Sequence, residues 1–329
     1  MLALLSAMLL LIGKVTNNSA FQLTRNFYQQ KDHIDTIVAG ASHARSIHAG
    51  TISNKSYNFA TSSGDLEIVN LKIRAALSHA TEVRRVIITF GSGYFNFCTK
   101  QTSPYYRIFY SKLADTPIPA NYHAVPALDY IKILSSKILH PAEFLGGFRP
   151  YVKKLIGALF PQLSGDFTQA SDRIQEDGVR GGYHTRAMAN DKIHNAAKIT
   201  VTRHIENYDS CIADTKNIKN LRYQLLADLA EALEEKNILL YFVIPPFTYE
   251  YFEDPKLAPH KHSDKLTINR LLSETKNAKL LDFHDFFYGA YEPNALFLDD
   301  DHLNYIGAKV FSTKLKQEIE NLERSEDGE

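Results

Sequence analysis

Apolar and polar positions change their period several times along the chain, and each change marks an element. Residues 35–39 (DTIVA) are a short apolar run that ends in Gly40-Ala41-Ser42-His43, a strand turning into a helix. Residues 57–60 (YNFA) predict a second strand. A loop, 61–64, follows, and Asp65 is placed to cap a helix to about Ala80 with Leu66, Val69, Ile73 and Leu77 on one face. Residues 85–90 (RVIITF) are apolar without alternation, as in a strand buried on both faces. The rhythm resumes far downstream. Residues 220–236 carry Leu221, Leu225, Leu229 and Leu233 at helical spacing, and 238–244 (ILLYFVI) are a fourth strand stopped by Pro245-Pro246. Ser263 or Asp264 is placed to cap a helix to Thr275, 278–283 (AKLLDF) are a fifth strand, and 305–323 form a last helix with Ile306, Val310, Leu315 and Ile319 inward. This alternation predicts an α/β fold, a mainly parallel sheet flanked by helices in three layers.

Between about 97 and 217 the alternation stops. Prolines, tyrosines and amphipathic stretches at 128–139 and 151–159 predict a large, mainly helical insertion. The expected organisation is therefore an N-terminal anchor and stalk over 1–32 and an α/β domain over 33–329, interrupted by that insertion. The anchor expectation rests on residues 1–13, MLALLSAMLLLIG, an uncharged run of signal-segment length, shorter than the ~20 residues of a membrane span. It places the bulk of the protein outside the cytoplasm. The chain has 329 residues, 44% hydrophobic and 22% charged, and a formal net charge of +0, so no basic field draws a polyanion and nucleic acid is not an expected partner. Cys98 and Cys211 are too few for a zinc site, and buried unpaired thiols are the expectation, with a disulfide as the alternative. No cofactor and no metal are expected.

In a parallel sheet, sites form beyond the carboxyl ends of the strands. Ser42 lies there after the first strand, and its own N–H at a helix start is suited to a developing oxyanion. Its hydroxyl needs a base. His302 lies beyond the last strand in 298–307 (LDDDHLNYIG), where a carboxylate three residues upstream, Asp299, is spaced to fold back on one ring nitrogen and leave the other for the serine proton. Asp300 and Asp301 compete for that role. A helix cap at Ser42 and a solvated helix start or metal site at 299–302 are the competing readings of each motif alone.

Taken together, Gly40-Ala41-Ser42, the stretch from Asn58 to Gly64, a glycine after the third strand, and Asp299-x-x-His302-Leu303-Asn304-Tyr305-Ile306-Gly307 resemble the SGNH (GDSL-like) hydrolase superfamily. The last block is the most specific. The first block, the anchor-like start and 90–97 (FGSGYFNF) resemble its membrane-anchored, extracytoplasmic subset, including the D-alanyl transfer protein of teichoic acid synthesis and polysaccharide O-acetylation proteins. The resemblance covers about 35–97 and 220–320. It implies Ser42 as nucleophile, Asp299 and His302 as the rest of a triad, and Ser42 and Gly64 N–H groups in an oxyanion hole. The family's oxyanion-hole asparagine falls on Gly93 here, with Asn96 nearby and out of register. Losing one such donor costs about 10²–10³ in turnover.

The resemblance also implies partners: an acyl donor, a carbohydrate or polymer acceptor and a membrane-bound acyl-transfer partner. Three functions follow: a serine-dependent acyltransferase or esterase acting on acyl esters of an envelope polymer; an inactive binding or assembly protein of the same fold, suggested by Gly93; and a soluble carboxylesterase. His43 and Tyr94 are candidate substrate contacts, with packing as the competing reading. Arg45 reads as a surface cation or an anion contact, His260 and His262 as a solvated loop rather than a metal pair. The aromatics Phe95, Phe97, Tyr105, Tyr106, Phe109 and Tyr110 read as core or as the wall of a carbohydrate groove.

Overall fold

The structure is a computed structural model that describes residues 26–60, 64–97, 190–214, 218–289 and 293–326. The chain divides into two compact units. Lys31–Cys98 and Ile174–Glu329 form one, the α/β unit. Met1–Gln30 and Thr99–Arg173 form the other, nearly all of it outside the described residues, as are the amphipathic stretches at 128–139 and 151–159.

Five strands build one sheet: β1 Thr36–Ala39, β2 Ser56–Asn58, β3 Arg85–Thr89, β4 Leu239–Ile244 and β5 Ala278–Asp282. Their order is β2-β1-β3-β4-β5 and every pair is parallel. The fold is therefore an α/β three-layer fold, as expected. β1 and β3 are neighbours although β2 lies between them in sequence, so the strand order reverses between them, and their C-terminal ends are the crevice position at which ligands bind in such sheets.

The described helices are α1 Ala49–Ile52, α2 Leu66–Leu77, α3 Asn190–Asp214, α4 Ile218–Glu234, α5 Tyr249–Phe252, α6 Ala258–Glu274, α7 Pro293–Leu296 and α8 Tyr305–Glu326. Side chains alternate across a strand. Val38, Ile87, Tyr241 and Val243 face Phe311, Leu315 and Ile319 of α8 in one core. The intervening Ile37, Ile88, Leu240 and Phe242 are equally buried on the opposite face, where α2 packs on α4 and α4 on α6. Asp65 caps α2 as expected, its Oδ1 accepting from the Ile68 N–H at 3.1 Å. On the α8 side of the sheet, Arg85 of β3 donates to both carboxylate oxygens of Glu323 of α8, from Nε at 2.5 Å and from Nη2 at 2.7 Å.

Three expectations are corrected. α6 starts at Ala258, so Asp264 lies inside it and caps nothing there. α3 falls in the α/β unit, not in the insertion, whose return boundary is therefore earlier than 217. Its buried face carries Ala197, Val201 and Tyr208, which pack on Phe247, Tyr251 and Leu257 beyond β4. Cys211, on the same face, is buried and disulfide-bonded rather than a free thiol. The sequence holds one other cysteine, Cys98, outside the described residues. Among the described residues no helix is long and apolar enough to cross a membrane, and the apolar run 1–13 lies outside them.

Candidate active site

β1 ends at Ala39, and Ser42–Ser46 form a tight 3₁₀ turn rather than the longer helix expected after Ser42. Asn58, the last residue of β2, holds that turn. Its Nδ2 donates to the carbonyls of Ala44 (2.8 Å) and Ile47 (3.0 Å), and its Oδ1 accepts from the Ala60 N–H (2.8 Å). Two neighbouring strand ends are thereby joined beneath Ser42, which is half-buried.

The loop after α7 comes back to the same edge of the sheet. Asp299 Oδ1 accepts from the N–H of Asp301 (3.2 Å) and of His302 (2.8 Å), and from His302 Nδ1 (2.9 Å). Asp301 Oδ1 lies 2.7 Å from the same Nδ1. The three-residue spacing thus brings Asp299 to His302 as expected, and Asp301 joins it there. Ionised carboxylates only accept, so Nδ1 carries the hydrogen, and Nε2 of the neutral ring holds the lone pair. Nε2 is buried and has no hydrogen-bond partner among the described residues. Burial opposes charge on His302, but Asp301 and Asp299 outweigh it and hold its pKa well above the ordinary histidine value. Asp301 mirrors this. Burial pushes it up, and the His302 and His43 imidazoles outweigh burial and hold it well below the carboxylate range. Asp300 takes another role. Its carbonyl accepts from Thr248 Oγ1 at 2.5 Å, and burial, with the charge of Asp301, pushes its carboxyl up to about 7.

His43 neither faces solvent nor lies open to a substrate. It is buried, its Nε2 is 3.1 Å from Asp301 Oδ2, and its ring stacks on that of His302 at 4.9 Å and 26°. Phe247 meets it edge-on at 5.1 Å. A Cβ on Gly91 would come within 2.9 Å of His43 Nδ1, so the glycine after β3 leaves room for this ring. The residue that follows Ser42 therefore lies against His302. No hydrogen bond joins the Ser42 hydroxyl to His302 Nε2.

α3 supplies a wall that the sequence reading missed. His204 Nδ1 lies 2.8 Å from Tyr251 Oη, which lies 3.2 Å from Ser92 Oγ. His204 Nε2 is 4.0 Å from Asp301 Oδ2. Burial pushes His204 down to about 4, against the pull of Asp301, so it is neutral at pH 7. A signal existed: residues 197, 201, 204, 208 and 211 recur every three or four positions, and His204 interrupts an otherwise buried stripe.

The third block departs from expectation. Gly93 has φ +75°, and a Cβ there would lie 2.3 Å from the Tyr208 ring, so that ring fills the space an asparagine side chain needs. The Gly93 N–H is engaged by Asp264, which also takes the Tyr94 N–H at 2.7 Å. Asp264 thus holds the turn after β3 from within α6. Burial, outweighing those bonds, pushes its carboxyl up to about 7. Asn96 is fully buried with its amide on His260 Nδ1 (3.2 Å), away from Ser42. That contact, with the Tyr208 ring 4.9 Å away, also accounts for His260. Tyr94 is buried, and its hydroxyl donates to the Gly64 carbonyl (2.9 Å), so it braces Gly64 rather than touching substrate. Gly93, Asn96 and Tyr94 are therefore each engaged in packing or hydrogen bonds within the fold, and Phe95 stacks on Phe90 in the core.

His43, Asp301 and His302 each present a ligand-type atom within 4.8 Å of the others, as do Asp299, Asp300 and Asp301. In the first group these atoms already bond one another directly, at 2.7 and 3.1 Å, which is the chemistry of an acid–base cluster. No protein-family profile matches the chain, and no curated protein matches it.

Proposed function

We propose that this chain is a serine-dependent acyltransferase or esterase that works through an acyl-enzyme on Ser42. The observation that carries the reading is His302: its Nδ1–H is fixed by two carboxylates, its Nε2 has no partner among the described residues, and its ring lies against the residue that follows Ser42. Such a ring is a base of set orientation and tautomer.

In this reading Ser42 Oγ bonds to the ester carbonyl carbon as its proton passes to His302 Nε2. The carbonyl electron pair moves onto oxygen, where the Ser42 and Gly64 N–H groups are the proposed donors. As that pair returns, the bond to the leaving oxygen breaks and His302 gives it the proton. Water or a sugar hydroxyl then attacks the acyl-serine, losing its proton to His302, and Ser42 Oγ leaves and takes that proton back. Asp299 and Asp301 orient His302 and stabilise its charged form. The resemblance to the extracytoplasmic SGNH subset points the proposal to acyl esters of an envelope polymer, with the N-terminal run as membrane anchor and a membrane-bound acyl donor as partner.

A second reading, an inactive binding or assembly protein, is favoured by one observation: the N–H and the side-chain space at Gly93 are taken by Asp264 and Tyr208. Incubation with p-nitrophenyl acetate and peptide mapping separates the two. The enzyme reading expects an acetyl adduct on Ser42 that is absent in Ser42→Ala. A folded chain that never acquires it supports the binding protein.

A further inference from the structure

Asp301 serves two imidazoles at once. Oδ1 accepts from His302 Nδ1–H at 2.7 Å, and Oδ2, as an acceptor, takes the hydrogen on His43 Nε2 at 3.1 Å. Asp301 is almost wholly buried, so water does not compete for these oxygens. The two rings lie nearly parallel, 4.9 Å apart, and Gly91 keeps the space on the His43 side open. His43 thus sits in the chain beside the proposed nucleophile and in space against the proposed base.

We propose that His43 is a positioning residue: by taking one oxygen of Asp301 and one face of the His302 ring, it fixes that ring and limits how much of the Asp301 charge His302 feels. The inference rests on the acyl-enzyme reading of Ser42 and His302. It gives His43 a task distinct from substrate contact. A hydrogen bond from His43 draws Asp301 charge away from His302. Without it, the full carboxylate charge would favour protonated His302, and the base would be free to accept a proton only at higher pH. The other groups facing His302 are Asp299 and Asp300 on its own loop and His204 on α3. Asp299 adds to the pull of Asp301. His204 is neutral above about pH 4 and adds no charge in the working range.

The test is the rate of fluorophosphonate labelling of the full chain as a function of pH, which needs no identified substrate. Two variants divide donor from ring. His43→Phe keeps an aromatic face and loses the donor; His43→Gln keeps an N–H and loses the ring. The proposal expects the acid limb of the profile to move up by about 0.5–1 pH unit in His43→Phe, a shift of the size a lost charge-assisted hydrogen bond produces. It expects His43→Gln to keep the limb near that of the parent, with a plateau lowered by roughly 10-fold from looser orientation. If His43 only packs, the acid limb of His43→Phe stays where it is in the parent, which overturns the proposal; a limb that moves equally in His43→Gln, which keeps an N–H donor, overturns it as well. Labelling of the parent that does not depend on Ser42 overturns the acyl-enzyme reading itself, a separate outcome.

Discussion

Asp299 and Asp301 meet the same nitrogen of His302 but do different work. Asp299 is half-exposed and also closes the backbone turn, whereas Asp301 is buried and supplies the larger part of the charge that His302 feels. In the proposed reaction only neutral His302 takes the serine proton, so labelling is expected to rise with pH as His302 loses its proton. Asp301 raises that pKa, and its loss lowers it. Asp301→Asn is therefore expected to move the acid limb of the labelling profile to lower pH, opposite in sign to His43→Phe, while the plateau falls because an amide orients the ring less well. Gly93 gives a second prediction. Asparagine tolerates a left-handed backbone better than most residues, so the cost of Gly93→Asn comes from the Tyr208 ring 2.3 Å from the new Cβ. Destabilisation by about 1–3 kcal/mol is expected from overpacking, read from the urea midpoint, with no gain in labelling. The Asp299–His302 pairing and the place of Ser42 just beyond β1 were legible because a three-residue spacing and strand ends are local signals. Asp301 was legible only as a rival, because spacing does not say which carboxylate oxygen the ring meets. The role of His43 was hidden, since it depends on a residue 258 positions away.

At the scale of elements, the turn that carries Ser42 is held from the next strand rather than by its own helix. Asn58→Ala removes three hydrogen bonds and leaves two buried carbonyls, of Ala44 and Ile47, without that donor. An uncompensated buried polar group costs about 1–3 kcal/mol. A loss of about 2–4 kcal/mol is therefore expected in thermal or urea unfolding, together with slower labelling from a looser Ser42. Asn58→Asp tests whether the donated hydrogens matter, since a carboxylate keeps the acceptor for Ala60 and loses both donors. β1, β3 and β4 were legible in the sequence because they are buried on both faces and their apolar runs are continuous. Helix starts were less so. Asp264 has the composition of a cap, but it serves the turn at 93–95 across space, and α6 begins earlier with a proline in its first turn. α3 was hidden by its place in the chain: it follows a long stretch in which the sequence pattern predicts no strand, and its buried stripe packs it on the residues beyond β4.

For the molecule as a whole, the sheet order explains how residues near both ends of the chain form one cluster. β1 and β3 are the inner pair at the crevice, and the loop beyond β5 folds back across β4 through Thr248. The three-layer architecture was readable from the alternation of elements. The extent of the insertion was not, because α3 packs with the sheet by side chains alone. Cys211 lies on that same helix face and is disulfide-bonded. Reduction is expected to lower stability by about 2–4 kcal/mol, seen as a lower melting temperature in reducing buffer. The same loss should appear in Cys211→Ser.

The central claim is that Ser42 is made nucleophilic by His302. Its most direct measurement is labelling by a fluorophosphonate probe, compared in the parent chain, Ser42→Ala and His302→Ala, with folding checked by circular dichroism. The account predicts one modified residue, Ser42, in the parent, none in Ser42→Ala, and a rate lower by about 10²–10⁴ in His302→Ala, the range a general base contributes. A folded parent chain that stays unlabelled, or labels equally well without His302, contradicts it.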